Sequence, residues 1–458
     1  MKQVDFENSS IASNILQTAL PMMAAQILNL LYSIVDRIYI GRIPGVGTLA
    51  LGSVGLSFPI VIMITAFTNL YGSGGGSLCA IERGKGDNRQ AEDIMNVSYF
   101  MILATGLILM LTGEVFSRPL LTLFGAGEDN IGFAVIYLRI YLLGTVFTMT
   151  AGGLNPFINA QGFSMVGMAT VLTGALMNII LDPILIFGFH LGVEGAAIAT
   201  VVSQFLSALY AIRFLRGPRA ELKLRWMTIS EFAGHLAKAG EIVSLGFASF
   251  VMSFTNSLVS VCCNNTLSHF GGSVYVSVMT MISSIRQIID TPIMSLTEGA
   301  SPILSYNYGA KKASRIRETI RLVTILGTTY TFLMWLALRL FPETFIRIFT
   351  GDEEIIADTV QAMRIYFGAF VFQSLQYSGQ TVFKALGKKK RAIFFSLLRK
   401  MVLVVPLTFI FPYVFHMGTN GVFLAEPVSN VLGGSACFIT MLVTIMPELK
   451  QMEINQVN

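Results

Sequence analysis

The sequence is poor in charged residues and rich in apolar ones. Of its 458 residues, 12% are charged and 53% are hydrophobic, and the mean hydropathy is +0.67. A soluble domain carries about 25% charged residues, so an ordinary soluble globular fold is excluded. Apolar runs recur along the whole length and can cross a hydrocarbon core of about 30 Å. We therefore expect an all-α integral membrane protein, because backbone polar groups in lipid must find partners within helices.

Cysteine and histidine are also scarce, with four of each. The cysteines are Cys79, Cys262, Cys263 and Cys437. They lie in apolar stretches without the spacing of metal ligands, which favours small core side chains. Neither a His-Glu-x-x-His nor a Gly-x-Ser-x-Gly motif occurs. The sequence thus predicts a protein that is not an enzyme and needs no cofactor. The net charge is +5. The basic residues lie in loops, so this charge does not predict nucleic-acid binding.

The apolar segments predict twelve membrane-spanning helices, six in each half. The first six are expected at 13–40, 49–80, 92–113, 131–151, 164–187 and 193–215. The second six are expected at 239–264, 274–305, 318–340, 357–382, 392–414 and 420–446. Residues 1–215 and 239–458 would form two six-helix lobes. The polar segment 216–238 would link them and include a short surface helix.

Lysine and arginine concentrate in alternate loops. The loops after spans two, eight and ten are rich in them, and so is the linker, whereas the intervening loops hold few. Basic loops face the cytoplasm. Both termini are therefore expected on the cytoplasmic side of an inner (plasma) membrane.

The two halves repeat each other at one constant offset along the chain. The segment 137–141 returns as 362–366, and at the same offset Gly74-Gly75 returns as Gly299-Ala300. Such a repeat indicates duplication of one structural unit. In a membrane protein, a duplicated bundle is typical of a transporter. The glycine cluster around Gly74 predicts close helix packing.

Two carboxylates lie inside predicted spans, where ionisable groups are costly and mark functional sites. Asp36 is in span one and Asp182 in span five, with Asn178 one helical turn before Asp182. Burial favours the protonated form of a carboxyl group, so such a group could exchange a proton near neutral pH. With further oxygen ligands the pair could instead hold Na⁺. The alternatives are an interfacial ion pair of Asp36 with Arg37 or Arg42, and a turn position for Asp182.

At these residues the chain resembles the multidrug and toxic compound extrusion (MATE) family. Twelve spans in two repeats, the loop 84–87 and the loop 306–312 carry the resemblance. It implies a secondary active antiporter that exports bulky, often cationic compounds in exchange for H⁺ or Na⁺ by alternating access. Its partners would be small-molecule substrates and the lipid bilayer, and we expect a monomer. The alternative is a flippase of a lipid-linked or polar metabolite, which predicts a broad cationic cavity.

The resemblance also implies roles for individual residues. It matches the branch whose acidic pair lies in the first lobe, and it assigns Asp36 and Asp182 to that pair. The only metal implied is a Na⁺ ion at these two residues. The implied polar partners are Asn178, Thr200, Asn155 and Tyr137. Pro21 matches the proline at which span one bends.

The second half carries a different set of candidates. Spans seven and ten lack acids, so a cation site of the second-lobe kind is not expected. Glu298 either faces a cavity or pairs with a loop lysine, and Asp290 would form an internal ion pair with Arg286. Flexible, polarizable side chains suit a polyspecific pocket. On that ground the candidate cavity residues are Glu298, Met252, Met279, Met294 and Phe157.

Overall fold

The computed structural model describes residues 3–124, 131–349 and 351–457, and no strand occurs among them. The first half forms α1 (Ile11–Gly41), α2 (Gly47–Gly55), α3 (Phe58–Gly84), α4 (Asn88–Leu123), α5 (Ile131–Leu143), α6 (Thr145–Ala160), α7 (Ser164–Pro183) and α8 (Gly192–Arg216). The connection holds α9 (Ile229–Ala233). The second half forms α10 (Leu236–Gly309), α11 (Ala313–Leu340), α12 (Pro342–Ile346), α13 (Glu353–Tyr366), α14 (Val371–Ala385), α15 (Lys389–Leu397), α16 (Val405–Phe409), α17 (Gly418–Ser429) and α18 (Ser435–Val457). Four short segments of the described chain are π-helical: Ile184–Gly188, Leu398–Val404, Ile410–Val414 and Asn430–Gly434.

The helices confirm an all-α membrane fold. Within the described ranges, nine helices are long and apolar enough to cross a membrane. The bent pairs α5–α6 and α13–α14 raise this number to eleven. The remaining predicted span, 274–305, corresponds to the part of α10 that follows a break at Gly272. At Gly272 the backbone has a φ of 67°, a conformation that glycine adopts at little cost.

The sequence repeat is also a structural repeat. α3 ends at Gly84 and α10 at Gly309, two positions that the offset of the repeat relates to each other. The turns that follow contain positive φ angles at Gly86 and Lys311, which are related by the same offset. The bends between α5 and α6 and between α13 and α14 measure 53° and 50°. Two equivalent helical bundles therefore arise from the two halves.

Contacts between residues divide the chain into two compact units. The first unit comprises Met1–Phe6 and Pro21–Phe250, and the second comprises Glu7–Leu20 and Val251–Asn458. Both α1 and α10 therefore contribute residues to each unit. The predicted lobe boundaries differ from this division, because the start of α1 packs with the second half. There the Arg315 guanidinium donates to the Ser9 carbonyl over 2.7 Å.

The connection 216–238 packs against the first unit. The Gln161 side-chain oxygen accepts hydrogen bonds from the backbone N–H groups of Glu221 and Leu222, each at 3.0 Å, and Leu222 is fully buried. The expected surface helix is the short α9. It begins with a capping box in which hydrogen bonds from Thr228 lower the pKa of Glu231.

Glycines of the first unit allow two helices to meet backbone to backbone. A Cβ atom added at Gly74 would lie 2.4 Å from the Ile242 carbonyl oxygen. A Cβ atom added at Gly246 would lie 1.7 Å from the Leu70 carbonyl oxygen. Any side chain would therefore push α3 and the start of α10 apart. The predicted packing role of the glycine cluster is confirmed.

Candidate ion-coupling site

The carboxyl groups of Asp36 and Asp182 lie side by side in the first unit. Asp36 is in the last turns of α1 and is half-buried, whereas Asp182 is near the end of α7 and is fully buried. The two carboxyl groups are close enough to interact electrostatically. Two neighbouring carboxyl groups in a poorly hydrated site do not readily carry a negative charge at the same time.

An amide and a hydroxyl extend this cluster along α7 and α8. The Asn178 amide Nδ2 donates to Asp182 Oδ1 at 3.3 Å and to Thr200 Oγ1 at 3.4 Å. Thr200 itself donates to the Ala196 carbonyl oxygen at 3.1 Å. The structure therefore links four of the six residues of the predicted ion site, Asp36, Asp182, Asn178 and Thr200, and a fifth, Tyr137, interacts with the carboxyl pair.

Three oxygens of this cluster are buried and accept no hydrogen bond from any described residue. They are Asp36 Oδ1, Asp182 Oδ2 and Asn178 Oδ1. Buried polar atoms normally have partners, and exceptions occur at binding sites for water or ions. The acceptors are carboxylate and amide oxygens, which suit a hard cation or a proton. The described residues contain no group of three or more His, Cys, Asp or Glu side chains that could hold a metal ion.

No basic side chain neutralises the pair within the described part of the chain. The guanidinium of Arg37 lies over the ring of Phe58, 4.7 Å from its centroid, and acts on Asp36 only through space. Asp182 lies inside α7 and is not a turn residue. The geometry therefore favours neither the interfacial ion pair nor the turn position.

Two tyrosines interact electrostatically with the carboxyl pair. Tyr137 is buried, stacks on Tyr141 with centroids 6.2 Å apart, and interacts electrostatically with both carboxyl groups. Tyr32 has the same electrostatic link to both carboxyls, and it was not among the residues predicted from the sequence. The sequence could have indicated Tyr32, because it precedes Asp36 by four residues and therefore lies on the same face of the helix.

Asn155 lies away from the carboxyl pair. Its Nδ2 donates to the Gly167 carbonyl at 3.0 Å, and its Oδ1 accepts from Asn159 at 3.1 Å. Gly167 is eleven residues before Asn178 in α7, which is roughly 16 Å along the helix. Asn155 therefore ties α6 to the start of α7, and we leave it out of the proposed site.

Pro21 lies inside α1, where it marks the division between the two units. As a proline it cannot donate to the Gln17 carbonyl four residues earlier, which weakens the helix locally. Leu20 groups with the second unit and Pro21 with the first. α1 is a single helix in this structure, so bending at Pro21 remains a prediction.

The predicted cavity residues fall into two groups. Phe157 is fully buried in the core of the first unit, and Met279 is buried in the core of the second. These two positions favour packing over contact with a substrate. Met252 and Met294 are half-buried, and Glu298 is exposed. These three keep surface that a substrate could contact.

Two acids of the second unit lie near basic side chains. Glu298 interacts electrostatically with Lys384. The Asp290 carboxylate accepts a hydrogen bond from Arg286 at 3.1 Å. The predicted internal pair of Arg286 and Asp290 is therefore present.

The fold and the site define a polytopic helical membrane protein with two repeats and a buried carboxyl pair in one of them. A family model, MatE, matches residues 21–184 and 248–410. The chain belongs to this family, which confirms the resemblance and the prediction of a transporter with no enzymatic activity and no cofactor.

Curated relatives and solved structures agree with this family. The chain is 26% identical over 439 residues to the multidrug export protein MepA of Staphylococcus haemolyticus, covering 96% of this chain and 94% of that protein. It is 25% identical over 435 residues to MepA of Staphylococcus aureus (strain MSSA476), covering 95% and 94%.

Among solved structures, "Crystal structure of MATE in the bent conformation" superposes with a TM-score of 0.90 at 21% identity, covering all of both chains. A second is "Reverse polarity of binding pocket suggests different function of a MOP superfamily transporter from Pyrococcus furiosus Vc1 (DSM3638)". It has a TM-score of 0.89 at 21% identity over 99% of each chain. The shared fold therefore leaves the substrate open.

Proposed function

We propose that this transporter is a secondary active antiporter that exports bulky, often cationic organic compounds in exchange for H⁺ or Na⁺. The observation that carries the proposal is the buried pair of Asp36 and Asp182, which lacks a basic partner within the described residues. The names of the relatives, which are multidrug export proteins, support the substrate class.

The electrostatics of the pair explain why it would couple to an ion. Two adjacent buried carboxylates repel each other, so the second charge forms only when a cation is bound or water enters. The affinity of the pair for its ion therefore depends on how hydrated the site is. Alternating access changes that hydration, and linkage requires that ion binding in turn favours one of the two states.

Ion binding would be transmitted through neighbours of the pair. A proton or Na⁺ at Asp182 changes the hydrogen bonds that Asn178 divides between Asp182 and Thr200. The resulting strain would act on α1, which Asp36 joins to the site. Pro21 lies fifteen residues before Asp36, roughly 22 Å along the helix, and is the point at which α1 can bend most easily.

Dye exclusion from intact cells tests this function. Cells that express the transporter are loaded with ethidium, and retention is followed with and without a protonophore. We expect exclusion by the wild type and its loss in Asp36→Asn at equal expression. Asp87→Asn is the matched control, because Asp87 is exposed and caps the first turn of α4, and asparagine caps helices equally well. Exclusion that survives in Asp36→Asn would contradict the assignment.

The remaining properties follow from the same proposal. The chain is a multi-pass membrane protein. We propose that it resides in the plasma membrane with both termini in the cytoplasm, as the basic loops indicate. We also propose that it acts as a monomer, since each chain carries its own carboxyl pair.

A further inference from the structure

A second buried charge cluster lies in the second unit, centred on Glu426. One carboxylate oxygen, Oε1, is 2.7 Å from the Arg286 guanidinium, 3.5 Å from Arg399 and 3.3 Å from the Lys400 ammonium. The side chains of Glu426, Arg399 and Lys400 are 5–7% exposed. Three basic groups thus meet one carboxylate, and only the Arg286 side chain, which is 16% exposed, is more than marginally accessible.

The second carboxylate of the cluster, Asp290, does not fully balance its positive charge. Asp290 accepts from Arg286 at 3.1 Å, from Gln373 at 2.8 Å and from Tyr377 at 3.4 Å. With every group ionised, three cations face the two carboxylates of Asp290 and Glu426. A net charge inside a membrane protein is costly unless water or a counter-ion compensates it.

The groups around Lys400 can be named element by element. Glu426 faces it from α17, Arg286 from α10, and Arg399 is its neighbour in the same π-helical segment. The Cys263 thiol of α10 also interacts with it electrostatically. Arg399 donates in addition to the Asn430 side-chain oxygen.

Only one of the three cations can neutralise the cluster by losing a proton. Arginine stays protonated in proteins, whereas a buried lysine can release its proton. We propose that Lys400 is a second proton-binding site of this transporter, which alternates between ammonium and amine as the second unit becomes hydrated and dehydrated. Proton exchange at Lys400 does not depend on the proposed antiport, whereas its use in the transport cycle rests on that proposal.

The sequence repeat supports a role specific to the second unit. At the offset that relates the two halves, Arg286, Asp290 and Glu426 correspond to Val61, Thr65 and Val201. Arg399 and Lys400 correspond to Gly174 and Ala175. The first unit carries none of these charges, and the second unit carries neither carboxylate of the Asp36 pair. Each unit would then hold one proton site of its own kind.

Difference titration of the purified full chain in detergent tests the site. Lys400→Arg fixes the positive charge, so we expect the wild type to release about one more proton per chain than this variant when the pH is raised from about 6 to 9. Lys400→Met serves the same comparison if the arginine variant does not fold. Equal proton release by the wild type and the variant would show that Lys400 exchanges no proton in this pH range and would overturn the proposal.

Lys388→Arg is the matched control. Although burial opposes it, hydrogen bonds to Glu448 and Tyr308 raise the pKa of Lys388, so this lysine keeps its proton and the control should titrate like the wild type.

Ethidium efflux from proteoliposomes under a pH gradient then tests whether proton exchange at Lys400 is used in transport. Loss of efflux in Lys400→Arg supports it, and wild-type efflux in that variant overturns it. Absence of efflux in the wild type under both a pH gradient and a Na⁺ gradient would refute the proposed antiport and leave the titration result unaffected.

Discussion

Replacing a carboxyl by an amide should have opposite consequences in the two units. In Glu426→Gln, the shape of the side chain is kept, but Arg286, Arg399 and Lys400 lose their common counter-charge. Removal of one partner from a buried ion pair costs about 3–5 kcal/mol. In Asp182→Asn, the same exchange removes a group that repels its neighbour Asp36, and the new amide can still donate to the Asp36 carboxylate. We therefore expect a large loss of stability in the first variant and none in the second.

The expected loss can be expressed as a melting temperature. For a folded body of about 200 residues, each kcal/mol corresponds to about 2–4 °C, so Glu426→Gln should melt roughly 6–20 °C below the wild type. A thiol-reactive fluorophore reports unfolding in detergent, because all four cysteines are free and three of them are buried. Asp182→Asn should melt at or above the wild-type temperature. Similar melting of both variants, in either direction, would refute the electrostatic reasoning.

Three further outcomes are expected. Asp36→Asn should abolish ion-driven ethidium efflux while purified yield and melting temperature stay near those of the wild type, as measured in proteoliposomes and by thermal unfolding. Gly246→Ala should lower the folded yield, because its Cβ atom would lie 1.7 Å from the Leu70 carbonyl oxygen. Gly240→Ala, with nothing within 4 Å, should not lower it in the same size-exclusion assay. Gln161→Leu leaves two backbone N–H groups of the connection without their acceptor, at about 1–3 kcal/mol each, and limited proteolysis should cut within 216–238 faster than in the wild type.

The helical layout could be predicted because membrane spans depend on local composition. A long run of apolar residues has few alternatives to a helix in lipid, and the constant offset of the sequence repeat reappears in the turns at Gly86 and Lys311. Helix bends were harder to predict. A hydropathy pattern records neither the break at Gly272 nor the bend between α5 and α6.

Residues of the candidate site could be predicted where an acidic residue lay inside an apolar membrane span. Asp36 and Asp182 met that condition, and Asn178 and Thr200 followed from helical spacing and from the family resemblance. Tyr32 was missed because tyrosine is common at membrane interfaces. Glu426 and Lys400 were missed because they are 26 residues apart in sequence, and only the folded second unit reveals that they are paired.

Asn155 was assigned to the ion site by the family resemblance. In the structure, its amide donates a hydrogen bond to the Gly167 carbonyl oxygen. Spacing along the chain therefore predicted its helix correctly but did not predict which end of α7 it would contact.

Binding of the coupling ion by the carboxyl pair of the first unit is tested most directly by ethidium efflux from proteoliposomes under separate pH and Na⁺ gradients. The comparison includes the wild type, Asp36→Asn and the surface control Asp87→Asn. We expect at least one gradient to drive efflux by the wild type and the control, and neither to drive it in Asp36→Asn. Full ion-driven efflux by Asp36→Asn would show that the pair is not the coupling site.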